Sequence, residues 1–85
     1  MSNEEFLQQL EQHIRERYEI EADDDDFNLD VHLFDYGYID SIGATALIAH
    51  IEKTYNVQVT NQDLMLYPLN TVREIADFIS NKIAR

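Results

Sequence analysis

The chain has 85 residues and no cysteine, which predicts one domain over residues 1–85 and excludes disulfides and thiolate chemistry by its own side chains. The net charge is −11, and thirteen of the 17 acidic residues lie in residues 1–40, so the surface should repel nucleic acid and anionic lipid and favour a basic protein partner. No apolar run is long enough to cross a membrane and the N-terminus is acidic, unlike a signal peptide, so we expect a cytoplasmic protein without membrane insertion.

The first predicted helix begins at a capping box, Ser2-x-x-Glu5, in which each side chain accepts a hydrogen bond from a free backbone amide. Apolar residues at helical spacing predict its buried face: Phe6, Leu7, Leu10, Ile14 and Tyr18. A long loop follows over about residues 21–40 and ends in a tight turn at Gly37. Four consecutive aspartates at 23–26 favour a solvated coil. Apolar residues should pin the loop to the core: Phe27, Leu29, Val31, Leu33 and Phe34.

The second predicted helix begins at Ser41, with Asp40 or Ser41 as its N-cap, and ends at Asn56. One apolar stripe should face the core: Ala44, Leu47, Ile48, Ile51 and Tyr55. A second line of small or apolar residues is not needed for the core, so we expect it to bind a partner. It contains Ser41, Ile42, Thr45, Ala46 and Ala49.

The remaining segment predicts two further helices after an extended connector at residues 57–59. Thr60 and Asp63 form a cap signature for a brief third helix, which Pro68 ends. Thr71-x-x-Glu74 predicts a capping box for the last helix. Its buried face should contain Val72, Ile75, Ala76, Ile79 and Ile83. The predicted fold is therefore all-α, a small four-helix bundle of three longer helices and one short helix, with a long first loop.

Ser41 lies where the loop gives way to the second helix, a position at which its hydroxyl can face solvent. A serine nucleophile needs a nearby base, but His50 is nine residues further along, more than two helical turns away. There is no Gly-x-Ser-x-Gly motif either. We therefore expect no catalysis by this chain, and any reaction at Ser41 would be performed by another enzyme. The simpler interpretation is that Ser41 is only a helix cap.

The aspartate run does not predict a calcium site. An EF-hand loop needs Gly at its sixth position and Glu at its twelfth, and counting from Asp23 or Asp24 places neither residue there. The histidines, which are His13, His32 and His50, do not have metal-ligand spacing. We expect no metal ion, and an acidic metal-binding domain is retained only as a third hypothesis.

The run Gly37-Tyr38-Ile39-Asp40-Ser41-Ile42 resembles the Gly-x-x-Asp-Ser-Leu attachment motif of acyl carrier proteins, the phosphopantetheine-binding family. Residues 51–57 and 71–79 resemble the end of the family's second helix and its closing helix, and the resemblance extends from about residue 6 to residue 83. It implies that a phosphopantetheinyl transferase uses coenzyme A to attach 4′-phosphopantetheine to Ser41, with Asp40 as the flanking motif residue. The thiol of this arm would hold an acyl or aminoacyl group as a thioester.

The resemblance also implies partners: an acyl- or aminoacyl-activating ligase and a downstream acyl-transferring enzyme. We expect them to contact Ile42, Thr45, Ala46 and Ala49, and we expect a monomer. Fatty-acid-synthesis carriers have an acidic second helix, whereas Glu52 is the only acid on this one. The chain therefore looks closer to stand-alone aminoacyl or specialised acyl carriers, including the D-alanyl carrier type. The alternative is an unmodified helical protein–protein interaction module in which Ser41 only caps the helix.

Overall fold

The computed structural model describes residues 3–83, which form four α-helices. In chain order these are α1 (Asn3–Arg17), α2 (Ser41–Tyr55), α3 (Asn61–Leu66) and α4 (Val72–Ile83). The predicted all-α fold is confirmed, with three longer helices, one short helix and a long first connection. The predicted capping box at Ser2 lies outside the described residues.

The core lies between α1 and α4, which form the most extensive helix contact in the described chain. The predicted face of α1 is buried at Phe6, Leu10 and Ile14 and half-buried at Leu7 and Tyr18. On α4 the buried apolar residues are Val72, Ile75, Ala76, Phe78 and Ile79.

The predicted burial of Ile83 is wrong, because its side chain is 46% exposed. Asn3, the first described residue of α1, donates a hydrogen bond to Asp77. The first described residue of α1 therefore lies beside the middle of α4.

The long loop is pinned to the rest of the domain, as predicted. Its buried apolar residues are Phe27, Val31, Leu33 and Ile39, while Leu29 and Phe34 are half-buried. Backbone bonds tie it to the segment around α4, since the Leu33 amide donates to the Asn70 carbonyl and the Arg73 amide to the Leu29 carbonyl. Gly37 has φ +81°, which confirms the tight turn expected there.

The aspartate run is less solvated than its composition indicates. The Tyr38 hydroxyl lies 3.1 Å from both carboxylate oxygens of Asp24, and Asp24 is half-buried. The other three aspartates of the run are exposed.

The capping box of α3 is confirmed. The Asp63 amide donates to Thr60 Oγ1 at 3.1 Å, and the Thr60 amide donates to Asp63 Oδ2 at 3.0 Å. Asp63 is the buried residue of α3, and Lys82 Nζ lies 2.7 Å from its Oδ2. The three apolar residues of α3, which are Leu64, Met65 and Leu66, are exposed.

The capping box predicted for α4 forms only in part. The Glu74 amide donates to Thr71 Oγ1 at 3.1 Å, as predicted. The Glu74 carboxylate, however, accepts the amide of Asn70 instead of that of Thr71. This shift by one residue still supplies an acceptor to a free amide at the helix entrance.

Candidate functional site

The N-cap of α2 is Asp40, which settles the choice that the sequence left open. Asp40 has extended backbone angles, φ −94° and ψ −175°, and its Oδ1 accepts the Gly43 amide at 2.7 Å. Ser41 is the first helical residue, and its side chain is exposed. Within residues 3–83 no hydrogen bond involves the Ser41 hydroxyl, so capping does not occupy it. Its carbonyl accepts the Thr45 hydroxyl at 3.2 Å.

Tyr18, which follows α1, also holds the first turn of α2 in place. Its hydroxyl donates to the Gly43 carbonyl at 2.6 Å. Burial raises the pKa of this hydroxyl, so it keeps its proton and remains a donor at neutral pH. A Cβ added at Gly43 would lie 2.9 Å from Tyr18 Cε1 and 3.1 Å from Ile39 Cγ2. Glycine is therefore needed here because three chain segments approach one another closely.

The sequence did not reveal this role of Tyr18. Helical spacing assigned the residue to the core face of α1, and the ring is indeed packed against the core. The signal that was available is a glycine at the third position of a helix, where it lowers helix propensity and therefore needs a packing reason.

Two tyrosines support the loop that leads into Ser41. The Tyr38 ring packs edge-on against Phe27, and the exposed Tyr36 ring stacks on Tyr38 with centroids 6.2 Å apart. Desolvation, together with the hydrogen bond to Asp24, raises the pKa of Tyr38, which therefore keeps its proton at neutral pH. Ile39 is buried, so the residue before Asp40 is held on the core side.

The predicted partner-binding residues lie mostly on the surface of α2. Ile42 is 82% exposed, Thr45 and Ala49 are exposed, and Ala46 is half-buried. Thr45 follows Ile42 by three residues and Ala49 follows Thr45 by four, so the three side chains share one face of the helix. Glu52 is half-buried, and its carboxylate accepts the Val59 amide at 3.0 Å. The exposed face of α2 near Ser41 is therefore uncharged.

An apolar cavity of about 240 Å³ lies behind this face. Its lining includes Phe34 from the loop, Ala44 and Ile48 from α2, and Leu64 and Leu69 from the α3 region. A shallow depression at Ser41 shares Phe34 and Ala44 with the cavity. The sequence predicted the apolar residues of α2 but not the cavity, because α3 could not be positioned from spacing alone.

Asp40 is the ionisable side chain in the depression at Ser41, and its Oδ1 accepts the Gly43 amide. The depression around Ser41 is lined by Phe34, Ile39, Asp40 and Ala44, with no histidine. Within residues 3–83 no group of three or more His, Cys, Asp or Glu side chains is arranged to hold a metal ion. Among the described helices, none is long and apolar enough to cross a membrane.

A protein-family model described as a phosphopantetheine attachment site matches residues 8–79, from the first turns of α1 into α4. The chain belongs to this phosphopantetheine-attachment family. The family's cofactor is 4′-phosphopantetheine, held covalently. Such carrier domains hold acyl groups, generally without catalysing reactions, and they interact with a phosphopantetheinyl transferase and with acyl-handling enzymes. No curated protein sequence matches this carrier domain.

The residues at the start of α2 fit the cofactor. Attachment requires an accessible hydroxyl, and the Ser41 side chain is exposed at the edge of an open depression. The amides of Ser41 and Ile42, in the first turn, have no carbonyl acceptor within their own helix. Free amides and the positive end of the helix dipole suit a phosphodiester at this point.

Proposed function

We propose that Ser41 is the attachment residue for 4′-phosphopantetheine and that the protein delivers acyl or aminoacyl groups held on this arm as thioesters. The observation that carries the proposal is the capping role of Asp40, whose carboxylate accepts the Gly43 amide. Because Asp40 caps the helix, the neighbouring serine hydroxyl is exposed and is not needed for the local fold. The alternative in which Ser41 is retained only as a cap loses its main support.

The arm, once attached, supplies the thiol that forms the thioester. The residues around Ser41 would hold the arm in position. The free amides of Ser41 and Ile42 would donate hydrogen bonds to the phosphodiester. Asp40 would keep the first turn of α2 wound by holding the Gly43 amide. Tyr18 would hold the same turn against α1 through the Gly43 carbonyl.

Within this proposal the chain is a single, non-catalytic, monomeric cytoplasmic domain. A transferase modifies it, a ligase loads it, and a downstream enzyme receives the group. The partners would dock on the uncharged face of α2, chiefly through Ile42, Thr45 and Ala49, with Ala46 at its edge. The lack of an acid in the first turn of α2 supports apolar rather than ionic docking.

We further propose that the cargo is short, as in aminoacyl carriers of the D-alanyl type. The uncharged first turn of α2 supports this subtype over fatty-acid-synthesis carriers. The cavity beside α2, about 240 Å³, is below the roughly 300–1,000 Å³ of ordinary small-molecule pockets. A cavity of this size suits a small group better than a long alkyl chain.

Intact-mass measurement after incubation with coenzyme A, magnesium and a broad-specificity transferase tests the attachment. The native chain should gain the mass of one phosphopantetheine group, and Ser41→Ala should gain none. Ser80→Ala is the matched control, since Ser80 lies on α4 and its variant should be modified like the native chain. A folded native chain that gains no mass with any transferase would support the unmodified interaction module.

The cargo is tested separately on the modified protein. A D-alanine-activating ligase and a long-chain acyl ligase are each supplied with the modified chain and ATP, and the thioester is detected by mass. Loading with D-alanine is the expected result. Loading only with the long chain would refute the short-cargo proposal while leaving the attachment at Ser41 intact.

A further inference from the structure

A stacked pair of histidines joins α1 to α2. His13 on α1 and His50 on α2 have ring centroids 3.5 Å apart and ring planes only 2° from parallel. Both side chains are half-buried, and they line a surface groove with Glu16, Thr54 and Tyr55. The depression at Ser41 includes neither histidine, and the function proposed above assigns them no role.

This geometry disfavours charge on the pair. Two imidazolium rings in face-to-face contact repel each other, and half-burial removes part of the water that would screen them. Burial lowers the pKa of both His13 and His50. For His13, the charges of His50 and Arg17 lower the pKa further, and Glu16 opposes them.

The groups that face the pair are few. From α1 the charged ones are Glu16 and Arg17. From α2 the Thr54 hydroxyl lies 3.3 Å from both ring nitrogens of His50, and Tyr55 lines the same groove. Both α2 groups are neutral at physiological pH, so Glu16 is the one acid among these groups that could compensate a proton on the pair.

α1 and α2 share the buried apolar core, and polar or aromatic contacts flank the histidine pair on either side. Phe6 packs edge-on against Tyr55, with centroids 5.3 Å apart, and the Tyr55 hydroxyl donates to Gln9 at 3.0 Å. At the other end the Tyr18 hydroxyl donates to the Gly43 carbonyl. The histidine stack lies between these two positions along both helices.

We propose that the His13–His50 stack is a pH-sensitive latch, which holds α2 on α1 while both rings are neutral and weakens this attachment on acidification. In the unfolded chain each histidine titrates near its ordinary pKa of 6.5, whereas folding lowers both pKa values. The unfolded chain therefore binds protons first as the pH falls. The stability contributed by the pair is complete above pH 6.5 and is lost as the pH falls through the folded-state pKa values.

Urea unfolding at pH 7.5 and pH 5.0 tests the latch on the native chain, on His13→Gln/His50→Gln and on the control His32→Gln. Each unit by which folding lowers a histidine pKa makes the unfolding constant roughly tenfold larger at the lower pH. The unfolding constant of the native chain should therefore rise more on acidification than that of the double variant, because folding lowers the pKa of both histidines. His32 lies in the loop, outside the groove, so its variant controls for the loss of a histidine elsewhere in the chain.

Equal pH dependence of the native chain and the double variant would overturn the latch. NMR titration of the histidine ring protons in the native chain is an independent test, which can be made even if the double variant does not fold. The expected result is a midpoint below 6.5 for both His13 and His50, and a higher midpoint for each ring when the other is Gln. Titration midpoints at or above 6.5 refute the proposal, and so does a midpoint that stays the same when the other histidine is replaced by Gln.

Discussion

Gly43→Ala should destabilise the domain although alanine is the better helix former. Gly43 is the third residue of α2, and the added methyl group would lie 2.9 Å from Tyr18 Cε1, 3.1 Å from Ile39 Cγ2 and 3.2 Å from Asp40 Oδ1. The Tyr18 ring cannot withdraw freely, because its hydroxyl is bound to the Gly43 carbonyl at 2.6 Å. Either the ring or the first turn of α2 must move.

The opposing terms can be compared. Replacing glycine by alanine within a helix gains about 1 kcal/mol. Overpacking costs about 1–3 kcal/mol, and losing the hydrogen bond from Tyr18 costs about 0.5–1.5 kcal/mol. The net expectation is destabilisation by about 0.5–3.5 kcal/mol, and each kcal/mol lowers the Tm of a domain of this size by roughly 4–8 °C.

Urea and thermal unfolding followed by circular dichroism measure the effect. Ala49→Gly on the exposed face of the same helix calibrates the propensity term, and it should cost about 1 kcal/mol. Tyr18→Leu shortens the obstructing side chain, so Gly43→Ala should cost less in that background than in the native chain. A Gly43→Ala variant as stable as the native chain, or more so, would show that the close approach exerts no constraint.

Four further outcomes follow from contacts described above. Asp40→Ala should cost about 1 kcal/mol in thermal unfolding because the first turn of α2 loses its cap, whereas Asp40→Asn should retain most of the stability. The Lys82 ammonium holds the pKa of Asp63 below its ordinary value. The stability that this pair contributes is therefore present above the pKa of Asp63 in the unfolded chain, and it is lost as the pH falls through the lower pKa of Asp63 in the folded chain. Lys82→Met should therefore raise that pKa, as NMR titration measures, and flatten the acid dependence of stability. Thr45→Asp and Ala49→Arg should impair loading of the modified protein without changing its Tm, because both residues are exposed. Unfolding of either variant would show that this face of α2 packs against the core and is not the docking face. Partner affinity should change little with added salt if docking is apolar, whereas a steep loss would assign recognition to the acids of residues 1–40.

Local signals in the sequence predicted most of the helical framework. The cap residues around Ser41 and the pair Thr60 and Asp63 act on amides within three residues, so their partners are fixed by the chain itself. Asn56 adopts the left-handed conformation, φ 54° and ψ 46°, that ends many helices, and α2 ends there as predicted. Exposure of Ser41 follows from the same logic, because the residue after an N-cap points into the first, open turn.

Contacts between separate elements could not be predicted in this way. Spacing shows which side of a helix is apolar, but it does not show where the neighbouring helix begins, so Ile83 was wrongly assigned to the core. The bond from Tyr18 to Gly43 and the stack of His13 on His50 each join residues more than 20 positions apart. Such pairs depend on how α1 and α2 are set against each other, which periodicity leaves undetermined.

α3 is attached to the domain in an unusual way, since its buried residue is the acid Asp63 and its apolar side chains face solvent. The bond from Lys82 at 2.7 Å takes the place of an apolar anchor. Swinging this short helix outward therefore breaks an ion pair, and of its three apolar side chains only Leu64 leaves the lining of the cavity. Its amides should exchange with deuterium before those of α1 or α4, because its apolar side chains are exposed and its buried contact is an ion pair.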